Sequence, residues 1–157
     1  MRFLYYDRIV RIDPGRRIVG VKAFALSEEF LHAHFPREPL VPAPILLEAM
    51  AQVLGWGILH AHQFRLSAFL ALAERFRMER PRLRPGVTAT ITGEIVTTTR
   101  RDSLGRAWVE VDGERVATLD RVIYAHGAPA PQDELLRRFC YYSGLTREQA
   151  LAEGGLA

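Results

Sequence analysis

The chain has 157 residues, of which 48% are hydrophobic and 25% charged, and its formal net charge is +3 at neutral pH. This length suits one domain with a sizeable core, and the single cysteine, Cys140, excludes an internal disulfide framework and a cysteine-based metal cluster. The positive charge comes from 20 arginines spread along the chain rather than gathered in a patch, so we expect no nucleic-acid partner.

The first part of the chain predicts a β-hairpin followed by a buried helix. Residues 3–12 and 17–26 are rich in aromatic and β-branched residues, as strands are, and a Pro-Gly turn separates them. Residues 44–62 predict a helix with apolar residues on every side, which is typical of a helix inside a protein. Because Glu48 and Gln52 interrupt this apolar run, we expect no membrane span. The N-terminus lacks the pattern of a signal sequence, so we expect a cytoplasmic location.

Four further stretches have the composition and alternation of strands, at residues 67–79, 87–100, 106–112 and 115–125. An Asp-Gly pair at 112–113 marks a tight hairpin between the last two. The order of two strands, one helix and four strands predicts an α+β fold. In it, a curved antiparallel sheet, ending in a four-strand meander, wraps around the long central helix.

A Pro-rich linker separates the predicted domain, residues 1–127, from a tail at residues 128–157. The tail predicts one or two short helices, with Asp133 and Thr146 as N-caps. It is too short to form a core of its own, so we expect it to pack on the same domain or on a partner subunit.

Candidate acid–base chemistry involves His34 and Glu48. An imidazole titrates near neutrality, and a carboxyl in an apolar helix is costly unless it is paired. The prolines between them predict a stiff connection into a helix N-terminus, where free N–H groups favour negative charge. Considered singly, His34 is expected to be a surface or packed histidine, and Glu48 a buried acid paired with an arginine. Together with the helix end they supply the parts of an acid–base site.

The segment HFPREPLVPAPILLEAMAQ, residues 34–52, resembles the motif of the FabZ-type (3R)-hydroxyacyl-acyl-carrier-protein dehydratases, which have the hotdog fold. Their pattern runs Gly-His-Phe-Pro-Gly-x-Pro-x-x-Pro-Gly-x-x-x-x-Glu-Ala-Met-Ala-Gln. The positions that match it without a gap are His34, Phe35, Pro36, Pro39, Pro42, Glu48, Ala49, Met50, Ala51 and Gln52. The resemblance covers roughly residues 3–126, and it implies the sheet and central helix that the order of elements also predicts.

By this resemblance the protein would dehydrate 3-hydroxyacyl thioesters to trans-2-enoyl thioesters in fatty acid biosynthesis. His34 would be the base, and Glu48 from the other subunit of a dimer would be the acid. The N–H of Ala43 would hold the thioester oxygen, and the other substrate-binding residues would be Phe35, Pro42 and Gln52. The resemblance implies no metal and no other cofactor, because the substrate itself carries phosphopantetheine. Its partners would be acyl carrier protein or an acyl-CoA, and the assembly a homodimer or a trimer of dimers.

The sequence departs from the family pattern at three glycines, which are replaced by Ala33, Arg37 and Ala43. Alanine at position 43 keeps the N–H but adds a methyl group and restricts the backbone torsions. These departures leave open a hotdog protein that binds acyl chains or a partner without catalysis. A hotdog acyl thioesterase is a third alternative, although it gives no role to the His-Phe-Pro segment.

A series of arginines could form a docking surface for the acidic carrier protein. The candidates are Arg37, Arg80, Arg82 and Arg84. Such a basic rim would steer association electrostatically. The alternative is that these side chains form a solvated face of an arginine-rich protein.

Overall fold

The computed structural model describes residues 3–129 and 131–152. The strands are β1 (Arg8–Asp13), β2 (Arg17–Phe24), β3 (Ser67–Met78), β4 (Val87–Thr98), β5 (Asp102–Val111) and β6 (Glu114–Gly127). The helices are α1 (Ala43–Ala61), α2 (Gln132–Ser143) and α3 (Arg147–Leu151), and a 3-10 turn spans Glu29–His32.

The strands form one antiparallel six-stranded sheet in the order β1-β2-β4-β5-β6-β3. The predicted four-strand meander is therefore wrong for β3. That strand pairs with β6 at one edge of the sheet, whereas β4 pairs with β2. The physical reason is the helix between them, because α1 carries the chain across the sheet before β3 begins. Only β4, β5 and β6 follow one another as a meander.

Helix α1 packs closely against one face of the curved sheet, as expected for a hotdog fold. Two glycines on neighbouring strands permit this approach. A Cβ atom on Gly93 would lie 3.0 Å from the Leu54 Cα, and one on Gly105 would lie 2.8 Å from the Leu54 side chain. The residues of α1 that are buried are Leu46, Ala49, Met50, Ala51, Val53, Leu54, Gly57, Ile58 and His60.

Helix α1 is also long and apolar enough, by length and composition, to cross a membrane. In this structure 56% of its most apolar stretch is buried inside the protein, where the helix packs against the sheet and α2.

The C-terminal helices pack on the same core as the sheet. Leu136 and Phe139 of α2 and Ala150 of α3 are buried. The Phe139 ring lies 5.7 Å from that of Trp56 on α1 and 5.1 Å from that of Phe64, between ring centroids. The segment expected as a tail thus contributes side chains to the core of its own chain.

The two predicted N-caps of the tail differ in outcome. Thr146 caps α3 as expected, since its hydroxyl accepts a hydrogen bond from the Gln149 N–H at 3.2 Å. The prediction for Asp133 is wrong, because α2 begins at Gln132 and its N-cap is Pro131. Proline has no backbone N–H that would need a partner at a helix start. Asp133 lies instead in the first turn of α2, where the helix dipole favours its negative charge.

Candidate active site

Glu48 lies in the second turn of α1 and lines a cavity of about 250 Å³. On α1 the cavity follows Glu48, Gln52 and Leu59, which share one helix face because their spacing is close to whole turns. The other walls come from the N-terminal segment, from the edge strand β3 and from β6, and they include Tyr6, Leu70 and Tyr124. A carboxyl is thus placed at one end of a mostly apolar cavity.

Gln52 holds the Glu48 carboxylate and ties it to the beginning of the chain. Its Nε2 donates hydrogen bonds to Glu48 Oε1 at 2.9 Å and to the Phe3 carbonyl oxygen at 2.8 Å. Its Oε1 accepts the Tyr5 N–H at 2.9 Å. Because all of these bonds are made within the chain, the geometry points to Gln52 as a positioning residue for Glu48.

Tyr124 is a further site residue, which the sequence reasoning missed. Its hydroxyl donates to the Ala51 carbonyl oxygen at 2.5 Å, so it braces α1 beside Glu48. Burial raises the pKa of Tyr124, and the nearby Glu48 carboxylate raises it further. The hydroxyl therefore stays a neutral donor at physiological pH. An aromatic residue in a long strand gives no sequence signal of this role.

Helix α1 begins at Ala43, one residue before the predicted start, with Pro42 as its N-cap. The Ala43 N–H is therefore among the first amides of the helix, which have no acceptor inside the helix. Ala43 has helical torsions, so alanine is accommodated there without the positive φ that would require glycine. The helix start can present this N–H to an oxyanion.

His34 lies in the exposed loop that leads to α1. Its backbone N–H donates to the Leu31 carbonyl oxygen at 3.2 Å, and its backbone carbonyl oxygen accepts the Leu40 N–H at 2.8 Å. The imidazole is not part of the Glu48 cavity, and neither is Phe35, whose ring is exposed. Within one chain, the structure does not bring His34 and Glu48 to the same cavity.

The predicted docking arginines only partly come together. Arg37 and Arg84 line one open cleft beside Glu38. Glu38 forms ion pairs with Arg82 and, at 3.8 Å, with Arg84. Arg80 is exposed and does not line this cleft.

A second polar cluster lies at the far end of α1. His62 Nε2 is 2.7 Å from the Thr98 hydroxyl, which is 2.6 Å from the Ser103 hydroxyl. The Ser103 hydroxyl is in turn 2.9 Å from His126 Nε2. The cluster contains no carboxylate. Across residues 3–129 and 131–152, no group of three or more His, Cys, Asp or Glu side chains could hold a metal ion.

Comparison with solved structures shows proteins of similar fold. The dehydratase heterocomplex ApeI:P from Xenorhabdus doucetiae aligns with a TM-score of 0.65 at 13% identity, covering 87% of this chain and 89% of that one. The putative thioesterase yhdA from Lactococcus lactis aligns with a TM-score of 0.63 at 10% identity, covering 78% and 91%. At such low identity these similarities establish the fold alone.

Comparison of sequences establishes the family. The FabA-like domain family matches residues 1–120. The 3-hydroxyacyl-acyl-carrier-protein dehydratase FabZ from Thermomicrobium roseum is 38% identical over 116 residues, covering 73% of this chain and 77% of that protein. The FabZ dehydratase from Clostridioides difficile is 35% identical over 107 residues, covering 67% and 72%. The chain therefore belongs to the FabA-like family, as a relative of the FabZ dehydratases that its motif resembles.

Proposed function

We propose that the protein dehydrates (3R)-hydroxyacyl thioesters carried by acyl carrier protein, in the cytoplasm, as a step of fatty acid biosynthesis. The observation that carries this proposal is the Glu48 carboxylate, held by Gln52 at one end of a mostly apolar cavity in a chain of this family. Such a cavity suits an acyl chain, and such a carboxyl suits proton transfer to the leaving 3-hydroxyl of the substrate.

The proposed site needs a second copy of the chain, because His34 lies outside the Glu48 cavity of its own chain. Strand β3 is at the edge of the sheet, where its unpaired backbone groups favour pairing with another strand. Phe35, Phe69 and Leu70 are 56%, 61% and 41% exposed. A symmetric partner joined along β3 would cover these apolar groups and bring its own His34 to the cavity. The assembly is then a homodimer or a trimer of dimers.

The reaction would proceed by two proton transfers. The partner subunit's His34 takes a proton from C2 of the substrate, and the negative charge moves to the thioester oxygen, which accepts the Ala43 N–H. The C3–O bond then breaks, and the leaving hydroxyl takes a proton from the Glu48 carboxylic acid. Water and a trans-2-enoyl thioester result, and the proton on His34 returns to Glu48 for the next turnover. These transfers balance without a metal or redox cofactor, and the substrate brings its own phosphopantetheine.

Two exposed arginines, Arg37 in the His34 loop and Arg80 just after β3, support docking of an acidic carrier protein. Arg37 and Arg80 make no ion pair in the part of the chain that the structure describes, so their charges are available to a partner. Glu38 partly neutralises Arg82 and Arg84, which makes these two the weaker candidates. Replacing Arg37 and Arg80 with glutamine is expected to raise KM for carrier-bound substrate but not for a small thioester.

Hydration of crotonyl thioester, the reverse reaction, tests the proposed chemistry. We expect His34→Ala and Glu48→Gln to lower the rate by about 10²–10⁴-fold, the usual contribution of a general acid or base. His32→Ala is the matched control, because His32 is an exposed histidine two residues away. Equal rates for all four proteins would contradict the proposal. Release of free thiol would indicate a thioesterase instead, and binding without either reaction would indicate an acyl-binding protein.

Mixing the two inactive variants tests whether the site spans two subunits. A dimer of one His34→Ala chain and one Glu48→Gln chain has one site with both native side chains, if each site takes one from each subunit. Random reassociation of equal amounts would then restore about a quarter of the wild-type activity. If both side chains come from the same subunit, the mixture stays inactive.

A further inference from the structure

A second and larger cleft, of about 640 Å³, lies next to the Glu48 cavity. Leu4, Tyr6 and Trp56 line both of these spaces. The indole Nε1–H of Trp56 donates a hydrogen bond to the Tyr6 hydroxyl at 2.6 Å. This bonded pair therefore forms a wall between the Glu48 cavity and the outer cleft.

The wall is held in place by helix α2. The Tyr6 ring packs edge-to-face on Tyr142, with centroids 5.1 Å apart, and the Trp56 ring lies 5.7 Å from that of Phe139. Tyr6 is almost completely buried, and this burial raises its pKa, so its hydroxyl stays protonated. Helix α2 lies beyond residues 1–120, which the family matches, so this support comes from the part of the chain outside the family domain.

We propose that the Tyr6–Trp56 pair, supported by α2, closes the acyl-binding cavity on the side of the outer cleft and so limits the length of acyl chain that the enzyme accepts. This inference rests on the proposed function. Glu48 and Leu59, the first and last residues of α1 that line the cavity, are eleven residues apart, which is about 16.5 Å at ~1.5 Å per residue. The cavity volume of about 250 Å³ is below the ~300–1,000 Å³ of usual ligand pockets. A medium-length acyl chain suits this space, whereas a hexadecenoyl chain would need the space behind the pair. The polar tips of the two aromatic side chains bond to each other, so neither is left unpaired beside an apolar chain.

Shortening the wall provides the test. We expect Trp56→Ala to join the cavity to the outer cleft and to raise the ratio of kcat/KM for hexadecenoyl over crotonyl thioester at least about tenfold, since pocket shape commonly discriminates by such factors. Trp56→Leu, which keeps an apolar contact for Phe139, should give a smaller rise in the same direction. Trp108→Ala is the matched control, because Trp108 lies near Arg115 and lines neither space. It should leave the ratio unchanged.

The outcomes separate this inference from the proposed function. If the wild-type protein hydrates crotonyl thioester and both Trp56 variants, folded by circular dichroism, keep the wild-type ratio, the wall does not set chain length and the dehydratase proposal stands. If the wild type already hydrates hexadecenoyl and crotonyl thioesters equally well, the inference fails in the same way. If the wild type hydrates no thioester, both proposals are overturned. Tyr6→Phe, which removes only the hydrogen bond, should shift the ratio in the same direction as Trp56→Leu.

Discussion

Replacing His60 with leucine is expected to stabilise the protein at neutral pH. His60 is 6% exposed, and its ring packs against those of Phe64 and Phe139, with centroids 5.9 and 5.5 Å away. Neither ring nitrogen has a hydrogen-bond partner among the residues described. An unpaired buried polar group costs about 1–3 kcal/mol, and leucine fills a similar volume without that cost. We therefore expect a gain of about 1 kcal/mol in the free energy of unfolding.

The same substitution should flatten the pH dependence of stability. Burial lowers the pKa of His60, and the nearby Ala150 backbone offsets only part of this effect. The unfolded chain, with a histidine pKa of about 6.5, then takes up a proton at a higher pH than the folded chain does. The stability is complete above this pH and falls below it by up to about 1.4 kcal/mol per pH unit, until the folded-state pKa is reached. Burial and the neighbouring His126 also lower the pKa of His62, which adds to the fall in the same range.

Thermal and urea unfolding at about pH 7.5 and 5.5, on either side of the histidine pKa, would measure both effects. At the higher pH, His60→Leu should raise Tm by about 2–4 °C for each kcal/mol gained. Its loss of stability at the lower pH should be clearly smaller than that of wild type, with the remainder due to His62. His32→Leu, at an exposed position, is the control and should follow wild type. A His60→Leu protein that is less stable at pH 7.5, or as sensitive to acid as wild type, would refute this reasoning.

Three further substitutions test packing and positioning. Phe139→Ala should lower the free energy of unfolding in urea by about 3–5 kcal/mol. Tyr141→Ala, at a side chain 78% exposed, should change it by less than about 0.5 kcal/mol. Equal losses would show that α2 does not support the core. Gly105→Ala should cost about 1–3 kcal/mol in the same assay, because its Cβ would lie 2.8 Å from both the Glu94 carbonyl oxygen and the Leu54 side chain. Gln52→Leu should lower kcat for crotonyl hydration by about 10–100-fold with little change in KM, because it removes the hydrogen bond that orients the Glu48 carboxylate. An unchanged kcat would mean that Gln52 does not position this carboxylate.

The sequence predicts most of the elements of this fold but not the place of β3 in the sheet. Helix α1 and the strand segments are recognisable because hydrophobic periodicity and turn residues are local properties. Which strands become neighbours depends on where α1 delivers the chain, and a pattern that is local in sequence does not contain this information. The same limit applies to Phe139, whose place beside Trp56 and Phe64 could not be inferred from a short helical segment after a Pro-rich linker.

For the candidate site, the motif identifies His34 and Glu48 as chemical groups but not the contacts that position them. Gln52 binds the backbone of Phe3 and Tyr5, which lie 49 and 47 residues away in the sequence. Tyr124 reaches the Ala51 carbonyl across 73 residues. Such contacts exist only once the sheet has closed over α1, so they belong to the tertiary structure.

The hydrogen bonds of Gln52 have a practical consequence for handling the protein. They couple the backbone just after the N-terminus directly to the Glu48 carboxylate. We expect a bulky affinity tag or fluorescent protein fused ahead of Phe3 to disturb these hydrogen bonds and to lower activity. Such a loss would resemble an active-site defect. Recombinant protein for kinetic work should therefore carry its tag at the other end of the chain, or have an N-terminal tag removed before assay.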